Sequence, residues 1–486
     1  MTTTLDRRAW LRTAAALGLG LAGAGSGGLV GCDRRRETMR VHLDLTGGPG
    51  GAERFPGLPG LRTLVVDHLE CLGGLTVLPW PAPGGPEDTR SRACFLRLAA
   101  RPGAGTLALA AEVSYANGMR PAPRASGPLA PAAAFEWLTR NLPLRLQALP
   151  PARLCPRDAG NFAPLLEALA DEDNAARSQP ILELSRDLVR RDPDCATSHF
   201  LLGNQLYNQL LLHPLEQASQ WQAFQAYRAG LELMPHHPRG VAGFAQLYAD
   251  AGLHRDAFSL LEGALRAHPM VPRLYRSLCY VARTSGLLEV ARRALLRVDQ
   301  LTLGRADMPS ENAYLYLGDL KAFRNTCRVQ DIGRDTRIRF YLGYLALADG
   351  DRAGAATAFQ AALAVPGGWY GFEELSALFL AALEGRSAEA AERLKVLAQK
   401  RAALRAPDGE FTFKLAEAAA FLGDRDRAME LGELAFTQGF GCTRWYERSP
   451  LFAPARGTAR YEALHQHLRE RQSILESRFP PNRFKL

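Results

Sequence analysis

The chain has 486 residues, 47% of them hydrophobic, which is enough to build packed cores in two to four domains and excludes global disorder. The formal net charge of +9 is a mild excess for this length, with both signs interspersed and no long basic run carrying aromatics. That pattern excludes nucleic acid as an expected partner. The eight cysteines form no CxxC pair, so neither structural zinc nor dithiol redox chemistry has its usual spacing.

The amino terminus reads Asp6-Arg7-Arg8-Ala9-Trp10-Leu11-Arg12, followed by a charge-free, glycine- and alanine-rich stretch over Thr13–Val30. Glycine removes apolar area and weakens a helix, so the stretch makes a poor permanent span. Arg7 and Arg8 with the following aromatic and leucine resemble a twin-arginine export signal. Leu29-Val30-Gly31-Cys32 resembles a lipobox, which implies cleavage before Cys32 and diacylglycerol on its thiol. An uncleaved anchor, or cleavage elsewhere, is the alternative. These readings assign residues 1–31 to an export signal and 32–38 to a lipid-anchored linker. They imply a membrane-anchored lipoprotein facing the periplasm or cell exterior. Asp33 resembles an inner-membrane retention signal used by enteric bacteria; other lineages read the position differently, so the choice of membrane stays open.

Residues 39–150 alternate short apolar runs with Gly/Pro breaks. Strands are predicted over Met39–Leu45, Leu75–Leu78, Cys94–Ala99 and Thr106–Val113. Helices are predicted over Leu61–Leu72, stopped by Gly73-Gly74, and over Phe135–Leu149, interrupted at Pro143. The order over about Leu61–Val113 resembles the small α/β module at the amino terminus of TolB. Asp67 and Glu70 read as a solvated helix face, and His68 as a packed histidine.

Over residues 157–441 the texture becomes helical with a recurring signature. From Gly252, alanine stands five residues on (Ala257), a large residue nine on (Leu261) and a small one twelve on (Ala264). The same offsets run from Gly286, Gly350, Gly385 and Gly423, with Val298 and Leu397 in the small position after Gly286 and Gly385 and Gly432 in the large position of the last. Large-then-small pairs precede several of these glycines, such as Phe244-Ala245 and Leu415-Ala416. Small residues let two antiparallel helices approach closely, glycine permits the tight turn, and the large residue fills the hole between units. With Gly252 and Gly286 spaced by 34, the pattern resembles tetratricopeptide repeats (TPRs). An insertion is read at Tyr207–Ser219, a degenerate unit around Ile181–Leu188 and a damaged one between Thr302 and Thr336.

Residues 442–486 are read as a helical cap. The segment Glu433–Gln472 resembles the closing element of bacterial TPR arrays, with Gly439-Phe440, Trp445, Pro450-Leu451 and Arg456-Gly457 leading to a stripe of Tyr461, Leu464 and Leu468. A cap is required because a terminal unit otherwise exposes its stacking face.

The expected fold class is therefore mainly α, a TPR-type α-solenoid preceded by a small α/β module. The resemblance implies a scaffold, not an enzyme, binding a protein or peptide partner on the concave face formed by the first helices. Asn204, Gln246, Arg276, Arg283 and Lys414 are the expected partner-binding residues there, a set suited to a peptide of acidic character. No catalytic set, metal site or cofactor is expected. The alternative is an accessory subunit or enzyme whose site is built from the α/β module and the repeat insertion.

Overall fold

The computed structural model describes residues 39–486 apart from segments 47–56, 73–74, 80–92, 104–105, 116–121, 142–152, 173–176, 213–219, 303–310, 331–335, 366–370, 405–407 and residue 485. The export and lipidation residues Arg7, Arg8 and Cys32 lie outside the described residues, as does the linker 32–38.

The first part is a five-stranded sheet: β1 (Met39–Thr46), β2 (Leu75–Pro79), β3 (Ala93–Gly103), β4 (Thr106–Tyr115) and the two-residue β5 (Arg124–Ala125), in the order β2-β1-β3-β4-β5. Strand β1 lies between β2 and β3 and is parallel to both, while β4 returns antiparallel to β3. The β1–β2 crossover carries helix α1 (Leu58–Cys71), because parallel neighbours need a long connection. Alternation puts Val41, Leu43, Leu96, Leu98 and Leu109 in the core. Leu61, Leu64, Val65 and Leu69 of α1 recur at helical spacing in the same apolar cluster, as do Phe135 and Leu138 of α2 (Pro131–Asn141). Helix α2 therefore begins four residues before its predicted start. The remainder of that prediction, 142–149, lies outside the described residues.

The apolar cluster does not stop at the sheet. It continues into α3 (Phe162–Ala170), α4 (Ser178–Arg191) and α5 (Ala196–Leu212). Gly60 of α1 packs so tightly on α3 that a Cβ there would lie 1.9 Å from the Leu166 carbonyl oxygen, so only glycine fits.

Helix pairs follow: α5 with α6 (Gln220–Leu233), α7 (Pro238–Asp250) with α8 (His254–Ala267), and α9 (Pro272–Ser285) with α10 (Leu288–Thr302). Next come α11 (Glu311–Leu317) with α12 (Leu320–Gln330), α13 (Thr336–Ala348) with α14 (Arg352–Leu363), α15 (Phe372–Leu383) with α16 (Ser387–Ala402), and α17 (Gly409–Phe421) with α18 (Arg425–Thr437). The turns fall on the predicted glycines. Gly252, Gly286, Gly350, Gly385 and Gly423 all have φ between +77° and +89°, a region that a Cβ disfavours. The segment read as a damaged unit is a short but complete pair, turning at Gly318 with φ +81°. Helix α5 runs on to Leu212, so the first part of the supposed insertion is helix; residues 213–219 lie outside the described residues.

Small and large residues meet as their spacing requires. A Cβ on Gly343 would lie 2.7 Å from the Phe359 ring, and Ala257, Ala291, Ala355, Ala390 and Ala428 are all fully buried. The chain closes with α19 (Thr443–Arg448) and α20 (Ala459–Arg478), whose Tyr461, Leu464 and Leu468 are buried. Among the described residues no helix is long and apolar enough to cross a membrane. The architecture is mainly α, a TPR-type α-solenoid preceded by a small α/β module.

Candidate functional site

The candidate site is the inner side of the array, where the first helices of successive pairs face one another. The chain uses much of this side on itself, at both ends.

At the amino-terminal end α1 presents Asp67 and Glu70 to the starts of α7 and α9. Arg239 Nη1 donates to Asp67 Oδ2 at 3.1 Å, and Arg273 Nη1 donates to Asp67 Oδ1 at 3.1 Å. Arg239 also pairs with Glu172, and Arg273 Nε stands 3.7 Å from Glu70 Oε2. Burial pushes the Asp67 carboxyl up, but Arg239 and Arg273 outweigh it and hold it below the ordinary value. For Glu70 burial wins, and its carboxyl is raised. The expected solvated face for Asp67 and Glu70 is thus corrected: both are buried because the array covers that side of α1. His68 lies beneath, its Nε2 2.7 Å from Thr139 Oγ1 and its titration pushed down to about 4 by burial. Thr76 Oγ1 donates to the Met270 carbonyl at 2.6 Å, and Arg40 Nη2 to that of Gln300 at 2.8 Å, so the sheet docks on the same repeats.

At the carboxy-terminal end α17 returns to α9. Arg283 Nη2 donates to Glu410 Oε2 at 2.8 Å, and the guanidinium stacks 4.7 Å from the centre of the Tyr280 ring. Glu410 Oε1 accepts from Asn312 Nδ2 at 2.8 Å and from the Tyr316 hydroxyl. Burial raises the Glu410 carboxyl, yet Arg283 and these donors bring it below its ordinary value. Asp250, buried and near Asp408, is pushed up to about 7 although the Tyr207 and Tyr280 hydroxyls donate to it. Burial and Glu410 push Asp408 up to about 6.

One turn along α17, Lys414 Nζ donates to Glu417 Oε2 at 2.9 Å and lies 4.5 Å from the centre of the Tyr344 ring and 5.3 Å from that of Trp445. Glu417 Oε1 accepts from the Tyr344 hydroxyl at 2.7 Å, Trp445 Nε1 at 3.0 Å and Ser449 Oγ at 2.5 Å. The loop before α19 completes the closure. The Gly441 amide donates to the Thr284 carbonyl at 2.7 Å. Gly439, with φ +105°, sits where a Cβ would come 2.5 Å from the Ala249 carbonyl oxygen. Beyond α20, the Phe479 and Phe484 rings pack 4.9 and 5.8 Å from Phe258 on α8.

The five expected partner-binding residues therefore divide. Lys414 is 2% exposed and Arg283 is 9% exposed. The expectation that they line an open groove is corrected: each is neutralised by a buried carboxylate of its own chain. Asn204, Gln246 and Arg276 are half-buried. Asn204 donates to Glu172 and accepts from the Tyr227 hydroxyl. Gln246 Nε2 lies 3.4 Å from Ser277 Oγ, and the Arg276 charge acts on Glu70. The structure brings Gln246 and Arg276 onto neighbouring first helices, α7 and α9, while Lys414 belongs to a separate buried cluster. Sequence reasoning missed Asp67, Arg239, Arg273, Glu410 and Glu417, the residues that close the inner face.

No protein-family model matches the sequence, and no curated protein matches it. Among solved structures the chain is similar to the crystal structure of yeast Tom70, with 12% sequence identity over 67% of this chain and a TM-score of 0.33. The match spans 65% of the Tom70 chain's own length.

Proposed function

We propose that the chain is an exported, lipid-anchored scaffold that binds a protein or peptide partner in the bacterial envelope. The observation that carries this reading is the repeat architecture. Consecutive helix pairs turn on left-handed glycines and stack through small-against-large contacts. Such a frame displays an extended surface and suits recognition of another polypeptide. Its ends are fastened by buried ion pairs, so little ordering entropy remains to be lost on binding. Arg7, Arg8 and Leu29–Cys32 support export and anchoring from sequence alone.

With Arg283 and Lys414 buried, the members of the expected set that keep partial exposure are Asn204, Gln246 and Arg276, and we assign the partner-facing polar strip to them. The test uses the full chain produced in a bacterium with an intact envelope. Mass spectrometry should find lipid on Cys32 at the mature amino terminus, and Cys32→Ala should release the protein from membranes. A partner cross-linked to the wild type should bind at least about tenfold more weakly to the Gln246→Ala/Arg276→Gln variant, which loses one amide group and one positive charge. Cytoplasmic retention with an intact amino terminus would sink the export reading. Partner binding unaffected by the double substitution would sink the assignment of the strip.

A further inference from the structure

Beyond α20 the chain turns back onto the amino-terminal repeats. Phe479 and Phe484 are buried there, while Asn482 and Arg483 between them stay exposed. The two ring centres lie 4.9 and 5.8 Å from that of Phe258 on α8. Both phenylalanines join the apolar cluster that holds Leu261 and Leu265 of α8. The turn Pro481–Phe484 packs against α10. The segment thus covers a groove formed by α8 and α10.

Its mode of attachment differs from that of the helices. The backbone bonds of the segment are internal: the Phe479 amide donates to the Leu475 carbonyl at 2.8 Å, and the Arg483 amide to that of Pro480 at 2.9 Å. Among the described residues no backbone hydrogen bond ties it to α8 or α10. Side chains alone hold it, through two aromatic anchors five residues apart with charge beside them. Arg483 Nε lies 3.0 Å from Glu262 Oε2 on α8, and its guanidinium stands 5.3 Å from the centre of the Phe479 ring. Burial raises the carboxyl of Asp256, also on α8, against the charges of Arg255 and Arg478. Two arginines of the segment therefore answer two acids of α8. Pro480 and Pro481 fix their own φ angles, so the segment loses little entropy on docking. Aromatic anchors in an apolar groove, with complementary charge at its edge, are how a groove recognises a short peptide.

We propose that the groove on α8 and α10 is a docking site for a protein segment with two aromatic anchors five residues apart and basic residues beside them, and that Phe479–Phe484 occupies it in cis until displaced. The site is separate from the strip of Asn204, Gln246 and Arg276, so the outcome of the strip substitutions leaves it standing.

The test is fluorescence anisotropy with a labelled, end-capped peptide of the sequence Arg478–Phe484, added to the full chain. The Phe479→Ala/Phe484→Ala variant should bind the peptide at least about tenfold more tightly than the wild type does, because the wild-type segment competes at the high effective concentration of a tether. Arg483→Glu, at an exposed position, sets a carboxylate against Glu262 and should raise the affinity for the peptide about threefold. A peptide with alanine in place of both phenylalanines should bind the double variant at least about tenfold more weakly than the native sequence. Glu262→Lys, added to the double variant, should weaken the native peptide by a similar factor, since it turns an attraction into a repulsion. The proposal is overturned if the peptide binds neither variant, if the wild type binds it as tightly as both variants, if the alanine peptide matches the native one, or if Glu262→Lys changes nothing. It is also overturned if the double variant loses its helical far-ultraviolet signal, because the segment is then part of the core and not an occupant.

Discussion

Glu417 and Lys414 allow a sharp test of how the inner face is held. Glu417 is fully buried and takes four donors: Lys414 Nζ on one oxygen, and Tyr344, Trp445 and Ser449 on the other. Glu417→Gln preserves size but strips the counter-charge from a buried ammonium. Breaking a buried pair by removing one partner costs about 3–5 kcal/mol. The rings of Tyr344 and Trp445 stabilise the stranded cation by about 2 kcal/mol, so the lower half of that range is expected. Lys414→Met leaves the opposite situation. The carboxylate keeps three neutral donors, each contributing about 1.5–3 kcal/mol to a charged acceptor, so its charge stays solvated by the protein. Glu417→Gln should therefore destabilise by about 2 kcal/mol more than Lys414→Met. The double variant should be more stable than the sum of the two predicts, with a coupling of about 1–3 kcal/mol. Urea unfolding followed by far-ultraviolet circular dichroism and tryptophan fluorescence measures all three. If Lys414→Met costs as much as Glu417→Gln, or the two effects simply add, the buried pair does not close the inner face as described.

Three further outcomes are expected. Asp250 titrates near 7 in the folded chain against 3.8 unfolded; the folded state therefore binds the extra proton across that window, and stability falls as pH rises from about 4 through about 7, by up to about 1.4 kcal/mol per pH unit. Asp250→Asn should flatten that slope in denaturation curves collected from pH 5 to pH 8, and an unchanged slope would refute the assignment. Arg283→Glu should lower stability by at least about 3 kcal/mol, because it sets a second carboxylate against buried Glu410; a variant with an unchanged melting temperature would mean that Arg283 is solvated. Ala355→Phe should overpack the α13–α14 contact and cost about 1–3 kcal/mol, and an unaltered unfolding midpoint would show that the helices do not meet there.

The repeats were legible because their information is local. Each turn glycine and its small and large companions lie within one period, and alternation in β1 and β3 is read from neighbouring residues. The closure of the inner face was not, because its contacts are distant: Arg283 and Glu410 are 127 residues apart, and Arg239 and Asp67 are 172 apart. A lone arginine on a first helix looks the same whether it meets water or a remote carboxylate. One local signal did exist. Helix α17 is apolar nearly all round, with Phe411, Phe413, Leu415, Ala416, Ala418, Ala419 and Ala420 buried. A helix without a polar face is interior, so Glu410, Lys414 and Glu417 had to be buried with it and needed one another or partners elsewhere. The same logic would not have found Asp67, because α1 carries charge beside an ordinary apolar stripe.

The docking of α1 against α7 and α9 bears on how the chain is made. Synthesis is vectorial, and domains generally fold as they leave the ribosome. The sheet and α1 emerge first, with Asp67 still facing water. The two arginines that neutralise it follow 172 and 206 residues later. The apolar surface of α1 around Gly60 likewise stays bare until α3 arrives. The nascent sheet is thus an unfinished half whose burial of charge depends on repeats not yet translated, and a chain cut between residues 150 and 157 should yield two fragments that need each other. Co-expression of residues 39–152 with 153–486 should recover a soluble complex where either fragment alone precipitates.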